Sequence, residues 1–307
     1  MSNDVCSTPA ATSGGAAPIL TASVLWGTTG TASSLAPAGA PAAAIGSAGL
    51  FLGGLLLFLT GHWNPLRNTV IHRGYTARER RLLLLGALAV AGYPVTFYPA
   101  VARTGVAVAT VVALCGAPIF AGALAWATGR SRPAARWLVA TAAAVSGCVA
   151  LVLGHQLTGG STEIDLLGIG LAAVAGFVYV VYALVGGELI TSGHDSARVM
   201  GVMFGAAGLF VLPVVLSTEA AWLLSARGLV VALHLAVFTT FLAYRLFGYG
   251  LRHTTVAAAT TLTLAEPAVA AMLGVTVLGE RLPFLSWCGL GILASGLVLL
   301  SLSPRTR

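Results

Sequence analysis

The sequence predicts an all-α membrane protein with ten transmembrane helices in two inverted five-helix repeats. Three observations lead to this prediction. The chain is 57% hydrophobic and only 8% charged, its apolar segments recur at the length of a membrane crossing, and its second half repeats residues of the first half at a nearly constant offset. A mean hydropathy of +0.92 is typical of a chain surrounded by lipid rather than by water.

The apolar segments are separated by charged, glycine-rich or proline-rich stretches. We expect residues 1–17 to form a disordered cytoplasmic tail. A first repeat over 18–154 then contains predicted helices at 18–36, 41–60, 82–102, 104–128 and 135–154. The second repeat, 155–303, contains 166–190, 198–217, 228–250, 254–278 and 284–302. Because ten crossings occupy roughly 200 residues, no soluble catalytic domain fits in the remainder.

Arginine placement predicts the orientation, because short basic loops are retained on the cytoplasmic side. Thirteen of the sixteen basic residues fall on one side of the predicted helices, and the loops 61–81 and 129–136 contain the densest groups. We therefore expect both termini in the cytoplasm and the protein in the cytoplasmic membrane. Orientation also explains the net charge of +7, so the charge does not indicate binding to nucleic acid.

The internal repeat holds its register over a long stretch. Residues 106–110 correspond to 256–260 at an offset of 150 positions, and Trp137 corresponds to Trp287. Five helices are an odd number, so the second repeat enters the membrane from the opposite side. Two inverted bundles can expose a shared site first to one side and then to the other, as alternating access requires. The alternative is a duplication retained only for packing.

Five motifs are specific in combination: Leu25–Gly30 in the first helix, Gly105–Thr110 opening the fourth, Leu264–Pro267 in the ninth, Leu278–Leu282 after it, and Gly289–Gly296 in the last helix. Together they resemble the drug/metabolite transporter superfamily, and within it the EamA-type ten-helix transporters. The resemblance covers nearly the whole chain. It implies an inner-membrane carrier, often an exporter of amino acids or related small metabolites, with a cavity lined by the first, third, fourth, sixth, eighth and ninth helices.

Other classes of function stay open beside this interpretation. A drug or amine efflux carrier is the alternative within transport. A polytopic membrane enzyme or a channel fits less well, because neither a catalytic motif nor a charged pore ring is present in the sequence. We expect no enzyme activity, cofactor or metal; a small-molecule substrate and the lipid bilayer are the expected partners, and the residues do not predict an oligomeric state.

Glu266 lies near the middle of the ninth predicted helix, where a bare charge costs from about 2.5 to over 10 kcal/mol. It must therefore be paired, protonated or in contact with water. One interpretation makes it a proton acceptor or a contact for a substrate ammonium group, with protons as the coupling ion. The other makes it a neutral carboxyl group that bonds backbone freed by the adjacent Pro267.

Aromatic and hydroxyl side chains on the expected cavity-lining helices are further candidates for substrate binding, because they combine an apolar body with a polar tip. They are Trp26, Thr28, Tyr93, Phe97, Tyr98, Tyr179, Tyr182 and Tyr244. Some of them fit equally well as a lipid-facing aromatic belt. Helix breaks are predicted where proline removes an intrahelical hydrogen bond, at Pro94, Pro99, Pro118 and Pro267.

Two basic residues of the eighth predicted helix leave alternatives open. Arg245 is expected either to extend to the lipid headgroups or to contact an anion or Glu188. His234 is expected either to be hydrogen-bonded in the packing or to relay protons.

Overall fold

The computed structural model describes residues 13–37, 39–62, 74–129, 134–154, 165–217 and 220–302. Eleven α-helices lie in these ranges: α1 Ser13–Ser34, α2 Ala42–His62, α3 Ala77–Ala127, α4 Ala135–Leu153, α5 Leu166–Thr191, α6 Ser196–Ser217, α7 Ala226–His234, α8 Ala243–Leu251, α9 Val256–Leu262, α10 Ala265–Val277 and α11 Phe284–Ser301. A 3₁₀ turn spans Ala220–Leu224, and a π-helix, Leu235–Leu242, joins α7 to α8. Within the described ranges there is no strand, which confirms the all-α class.

Eight helical segments of the described ranges are long and apolar enough to cross a membrane. The count of ten spans is therefore not confirmed. The third and fourth predicted helices lie in one 51-residue segment, α3, and α1 is not among the eight because glycine and hydroxyl residues dilute its apolar composition. The first five residues of α1, 13–17, belong to the stretch predicted as a disordered tail, and residues 1–12 lie outside the described ranges.

Helix α3 is too long to be a single crossing, because 51 residues at about 1.5 Å each would reach about 77 Å across a hydrocarbon core of about 30 Å. Its direction changes at Gly105, whose φ of 79° and ψ of 159° are non-helical. A positive φ is accessible to glycine because it lacks a Cβ atom. Gly105 divides α3 into a first arm, 77–104, and a second arm, 106–127.

Both arms of α3 lie along α5. The backbone of Ala113 in the second arm meets Gly176, and Gly92 in the first arm faces Val178. Close to the bend, Ala100 and Ala109 form one buried cluster with Ala172 of α5. The two arms therefore run back alongside the same length of α5.

Pro94, Pro99 and Pro118 all lie inside α3, and the non-helical residue there is Gly105. The interruption is thus at the glycine and not at these three prolines, which corrects the predicted breaks. A proline φ near −65° fits an α-helix and removes only one hydrogen bond, whereas a positive φ ends the helical path. The chain also leaves regular helix between α9 and α10, at Thr263 and Leu264, next to Pro267.

The remaining helices pack in pairs through small residues. Gly54 and Gly208 bring α2 against the backbone of α6, at Phe204 and Phe51 respectively. Gly147 of α4 meets Leu293 of α11 in the same close manner. In each pair, positions rise along one helix as they fall along the other, so both pairs are antiparallel.

Helix α1 packs against α8 and α10. Gly15 approaches Gly250, and Gly27 approaches Val269. The contact places Trp26 of α1 between α8 and the start of α10.

Candidate functional site

The interruption between α9 and α10 lies inside one apolar segment, Val256–Val277, of the length of a membrane crossing. Backbone groups freed by such an interruption need partners, because lipid supplies none. The hydroxyl of Thr263 donates to the carbonyl of Thr260 at 2.8 Å and accepts from the Tyr179 hydroxyl at 3.0 Å. A hydroxyl group on α5 thus stabilises the broken segment.

Glu266 lies in the first turn of α10, directly after the interruption. The N-terminal end of a helix carries partial positive charge, which favours a carboxylate there. No ion pair to Glu266 exists among the described residues. The backbone carbonyl of Glu266 lies against Gly27 of α1, the residue that follows Trp26.

Four of the predicted aromatic residues, Trp26, Tyr179, Tyr182 and Tyr244, come together in one cluster with Phe204 and Phe247. The Tyr182 and Tyr244 hydroxyls are 3.2 Å apart. The ring of Tyr244 is 4.9 Å from that of Trp26 and 3.9 Å from that of Phe204 between centroids. We call these six residues the aromatic cluster.

Sequence reasoning missed Phe204 and Phe247. Phe247 follows Tyr244 by three residues, so helical spacing places both side chains on one face. This spacing could have predicted that Phe247 lies in the cluster. Phe204 lies on α6, which is the seventh predicted helix and was not expected to line the cavity. Only the packing of α6 on α2 brings it to Tyr182, at 5.9 Å between ring centroids.

The three aromatic residues of the first α3 arm do not all join this cluster. Tyr93 packs against the main buried core and stacks on Phe97 at 5.3 Å. Phe97 packs beside the small cluster of Ala100, and the Tyr98 hydroxyl lies against Gly46 of α2. Tyr93 is therefore the member of this group that packs against the core containing Tyr179 and Tyr182.

Thr28 also has a structural partner. Its hydroxyl is 2.8 Å from Nε2 of His234 and donates to the carbonyl of Leu25 at 2.6 Å. This pair joins α1 to α7. His234 is thus hydrogen-bonded in the packing, in agreement with one of its two interpretations.

The π-helix next to the aromatic cluster has no marker in the sequence, because residues 235–242 contain neither proline nor glycine. The indole N–H of Trp26 donates to the carbonyl of Thr239 in this segment at 2.8 Å. π-Helical turns often occur at functional sites. Here the turn fixes the orientation of Trp26.

Charged groups at the helix ends pair with one another. Arg103 and Asp165 join the bend of α3 to the start of α5 at 3.0 Å. The N–H of Gly168 and then Arg103 lower the pKa of the Asp165 carboxyl group. Arg245 donates to the Thr60 hydroxyl at 3.3 Å and lies over the Phe241 ring.

At the opposite end, Glu79 accepts from His194 at 3.0 Å. Glu79 precedes the apolar stretch that starts at Leu82, so it lies outside the membrane-spanning part of α3. The hydrogen bond to His194, followed by the Thr76 N–H, lowers the pKa of Glu79 to about 2. Arg78 approaches Glu188 at 3.8 Å, whereas the contacts described above for Arg245 are with Thr60 and Phe241.

The fold and the site define a multi-pass helical membrane protein with a polar interruption and an aromatic cluster inside the spans. A family model described as the EamA-like transporter family matches residues 14–153 and 166–302. The chain belongs to the EamA-like transporter family, which confirms the predicted resemblance. It is a membrane transporter, and its family points away from an enzyme.

Two known proteins illustrate the likeness. The chain is 35% identical over 289 residues to the uncharacterised transporter YwfM of Bacillus subtilis (strain 168), across 94% of each chain. A crystal structure with 18% identity superposes with a TM-score of 0.76 over 93% of this chain and 95% of the other. The second likeness concerns the fold alone.

Proposed function

We propose that the protein is a secondary active transporter that exports amino acids or related small metabolites across the cytoplasmic membrane by alternating access. The observation that carries this proposal is the interruption between α9 and α10, where Thr263 is hydrogen-bonded to Tyr179 of the aromatic cluster and Glu266 lies three residues further on within a membrane segment. Ionisable groups are expensive in lipid and are retained chiefly where they serve a substrate, an ion or a proton.

The proposed architecture has ten crossings in two inverted repeats, with α1 and the two arms of α3 as separate spans. The antiparallel pairs support it, because inverted repeats place equivalent helices in opposite directions. In that scheme α2 corresponds to α6 and α4 to α11. Further support comes from the family model, which matches two stretches of similar length, 14–153 and 166–302.

The chemistry of the site favours a small amphipathic substrate with an ammonium group. Aromatic faces attract cations, and the Glu266 carboxylate is the complementary charge. Phenol hydroxyls at Tyr182 and Tyr244 supply donors for a substrate carboxylate. A polyanion would require several inward-facing arginines, whereas Arg245 lies at the Thr60 side of α8.

Protons are the proposed coupling ion, with Glu266 as the group that takes them up. Protonation would remove the charge that holds the ammonium group and so release the substrate as the carrier changes conformation. Drug or amine efflux is the second candidate function, because the same carboxylate and aromatic faces bind an organic cation that lacks a carboxylate.

An uptake screen in proteoliposomes tests the proposal. Purified protein is assayed with amino acids and with cationic dyes, with and without a pH gradient, and protein-free liposomes give the background. We expect saturable transport of an amino acid with an apolar side chain, stimulated by the gradient. Transport of dyes alone would favour the second candidate, and transport of neither would contradict both.

The proposed orientation has both termini in the cytoplasm. Single cysteines placed in 61–81 and in 129–136, in a variant without the four native cysteines, should react with a membrane-impermeant thiol reagent from the same side. Reaction from opposite sides would contradict the proposed topology and leave the transport assay unaffected.

A further inference from the structure

The backbone carbonyl of Thr239 lacks its usual partner within the helix. In an α-helix it would accept from the N–H of Ala243, four residues further on. At the end of the π-helix that N–H instead bonds the carbonyls of Phe238 and Thr240, since a π-helical turn pairs residues five apart. The Thr239 carbonyl lies within the apolar segment Ala226–Leu251, where a backbone acceptor without a partner is costly.

The indole of Trp26 supplies the missing donor. Its Nε1 lies 2.8 Å from the carbonyl oxygen of Thr239. Two donors thus compete for one acceptor, the Trp26 N–H when this segment is π-helical and the Ala243 N–H when it is α-helical. A hydrogen bond from α1 therefore favours the π-helix over the α-helix.

The internal repeat provides a comparison within the same chain. At the offset of the repeat, the counterpart of 235–242 is 86–93 in the first arm of α3, and the counterpart of Trp26 is Ala175. Residues 86–93 are regular α-helix, and alanine has no side-chain donor. The π-helix thus occurs in the repeat that has an indole partner and not in the one that has alanine there.

Contact with a neighbouring helix does not explain this difference, because both segments have one. The π-helix packs on α2, where Gly53 closely approaches Thr240. The first arm of α3 packs on α6, where Gly86 closely approaches Met203. The proposed repeat relates α2 to α6, so the two environments are equivalent. The hydrogen bond from a tryptophan is a feature of one segment alone.

The π-helix sets the rotation of α8, which follows it directly. In this rotation the rings of Tyr244 and Phe247 lie 4.9 and 5.5 Å from that of Trp26 between centroids. The Tyr244 hydroxyl is then 3.2 Å from that of Tyr182. A π-helical turn holds one residue more than an α-helical turn, so its loss would rotate α8 by up to about 100°, the angle between successive residues. Both rings would leave the aromatic cluster.

We propose that Trp26 is a positioning residue. By occupying the Thr239 carbonyl, its indole N–H holds residues 235–242 in the π-helix and so keeps Tyr244 and Phe247 in the aromatic cluster. The use of that cluster to bind a substrate rests on the proposed function, whereas the rotation of α8 does not.

The distance between spin labels on α2 and α8 tests the rotation. Labels are attached at Leu55 and Tyr249, which are 43% and 48% exposed, in a variant without the four native cysteines. Benzothienylalanine at position 26, in which sulfur replaces the indole N–H, removes the donor and keeps the shape of the ring. We expect the distance between the labels to change by roughly 5 Å, because a side chain on a helix about 10 Å wide moves that far when the helix turns. An unchanged distance would overturn the proposal.

Trp26→Phe and Trp287→Phe form a matched pair of further variants. Trp26→Phe also removes the N–H and should change the distance in the same direction. Trp287 is 45% exposed on α11, so Trp287→Phe should leave the distance as it is in the labelled protein with both tryptophans. An equal change in the two variants would contradict a specific role for Trp26.

Uptake kinetics separate positioning from direct contact with a substrate. With labelled leucine as the probe, Tyr244→Phe should raise the KM about fivefold, as expected for the loss of one hydrogen bond. In the protein with benzothienylalanine at position 26, Tyr244→Phe should raise the KM no further, because Tyr244 is already displaced. Additive effects would contradict the positioning role. The label distance needs no substrate, so it decides the rotation even if the proteoliposomes do not transport leucine.

Discussion

Glu79 and Glu266 are carboxylates in opposite settings. Glu79 lies at the end of α3, where His194 is 3.0 Å away and the Thr76 N–H is 2.7 Å away. Glu266 lies inside an apolar segment and has no ion-pair partner among the described residues. The Glu79 carboxylate is hydrogen-bonded to two groups of the protein itself. The Glu266 carboxylate lies in the first turn of α10, and we propose that it is available to a substrate cation or a proton.

The difference between the two carboxylates is tested most directly by neutralising Glu266. Glu266→Gln keeps the size of the side chain and removes its charge and its proton equilibrium. We expect it to abolish the component of uptake that a pH gradient drives, with exchange of labelled for unlabelled substrate reduced less. Uptake into proteoliposomes at several pH values measures the effect.

Glu280→Gln provides the matched control for that variant. Glu280 lies in the exposed turn after α10, so the same chemical change there should leave coupling intact. A pH dependence in Glu266→Gln equal to that of the unmodified protein would exclude Glu266 as the coupling group. It would support the alternative of a neutral carboxyl group that bonds the backbone near Pro267.

A smaller effect is expected from Tyr179→Phe. The variant removes the hydroxyl that donates to Thr263 at 3.0 Å and leaves the aromatic ring in the cluster. One hydrogen bond contributes about 1 kcal/mol, so we expect the KM of uptake to rise roughly five- to tenfold with a modest loss of thermal stability. Tyr249→Phe, at an exposed position of α8, should change neither. An unaltered KM in Tyr179→Phe would mean that the interruption is not part of the binding site.

The aromatic cluster shows which part of the site the sequence could predict. The positions of Trp26, Tyr179, Tyr182 and Tyr244 on helices expected to line the cavity predict that they come together, and in the structure they do. Tyr98 follows Phe97 by one residue, so helical geometry turns it about 100° away, and it reaches α2 instead. Residue type and helix identity were thus insufficient without the rotation of each helix, which tertiary packing sets.

The interruptions of the helices show a second limit. Proline was the predicted marker, yet α3 continues through Pro94, Pro99 and Pro118 and turns at Gly105. Nothing in residues 235–242 marks a π-helix. Local propensity identifies places where a hydrogen bond is missing, but packing on α5 or α2 decides whether the backbone departs from the helix there.

The pairing at Glu79 predicts a pH effect of defined sign. Its pKa is lowered from 4.5 to about 2 in the folded protein, so its stabilising contribution is present above pH 4.5 and is lost as the pH falls towards 2. Glu79→Gln should therefore lower the melting temperature at neutral pH and flatten its decrease between pH 5 and 2. Uptake driven by a pH gradient should persist.

Arg78→Gln is the control for this variant, because the Arg78 side chain is 80% exposed and its distance to Glu188 is 3.8 Å. Its melting temperature should stay near that of the unmodified protein. If Glu79→Gln folds normally but loses coupled transport, Glu79 also takes part in transport. That result would contradict the assignment of a structural role to Glu79 and a transport role to Glu266.

The smallest effect is expected at Arg103 and Asp165, which lie at the other end of α5 from Glu79 and His194. Exposed ion pairs contribute little because solvent and salt screen them, and the Arg103 side chain is 45% exposed. Arg103→Gln should therefore change the melting temperature by an amount close to the error of the measurement. Asp165→Ala should lower it clearly, because it also removes the hydrogen bond from the Gly168 N–H at 2.8 Å that caps α5. Equal effects of the two substitutions, compared at low and high salt, would assign the stabilisation to the ion pair instead of the cap.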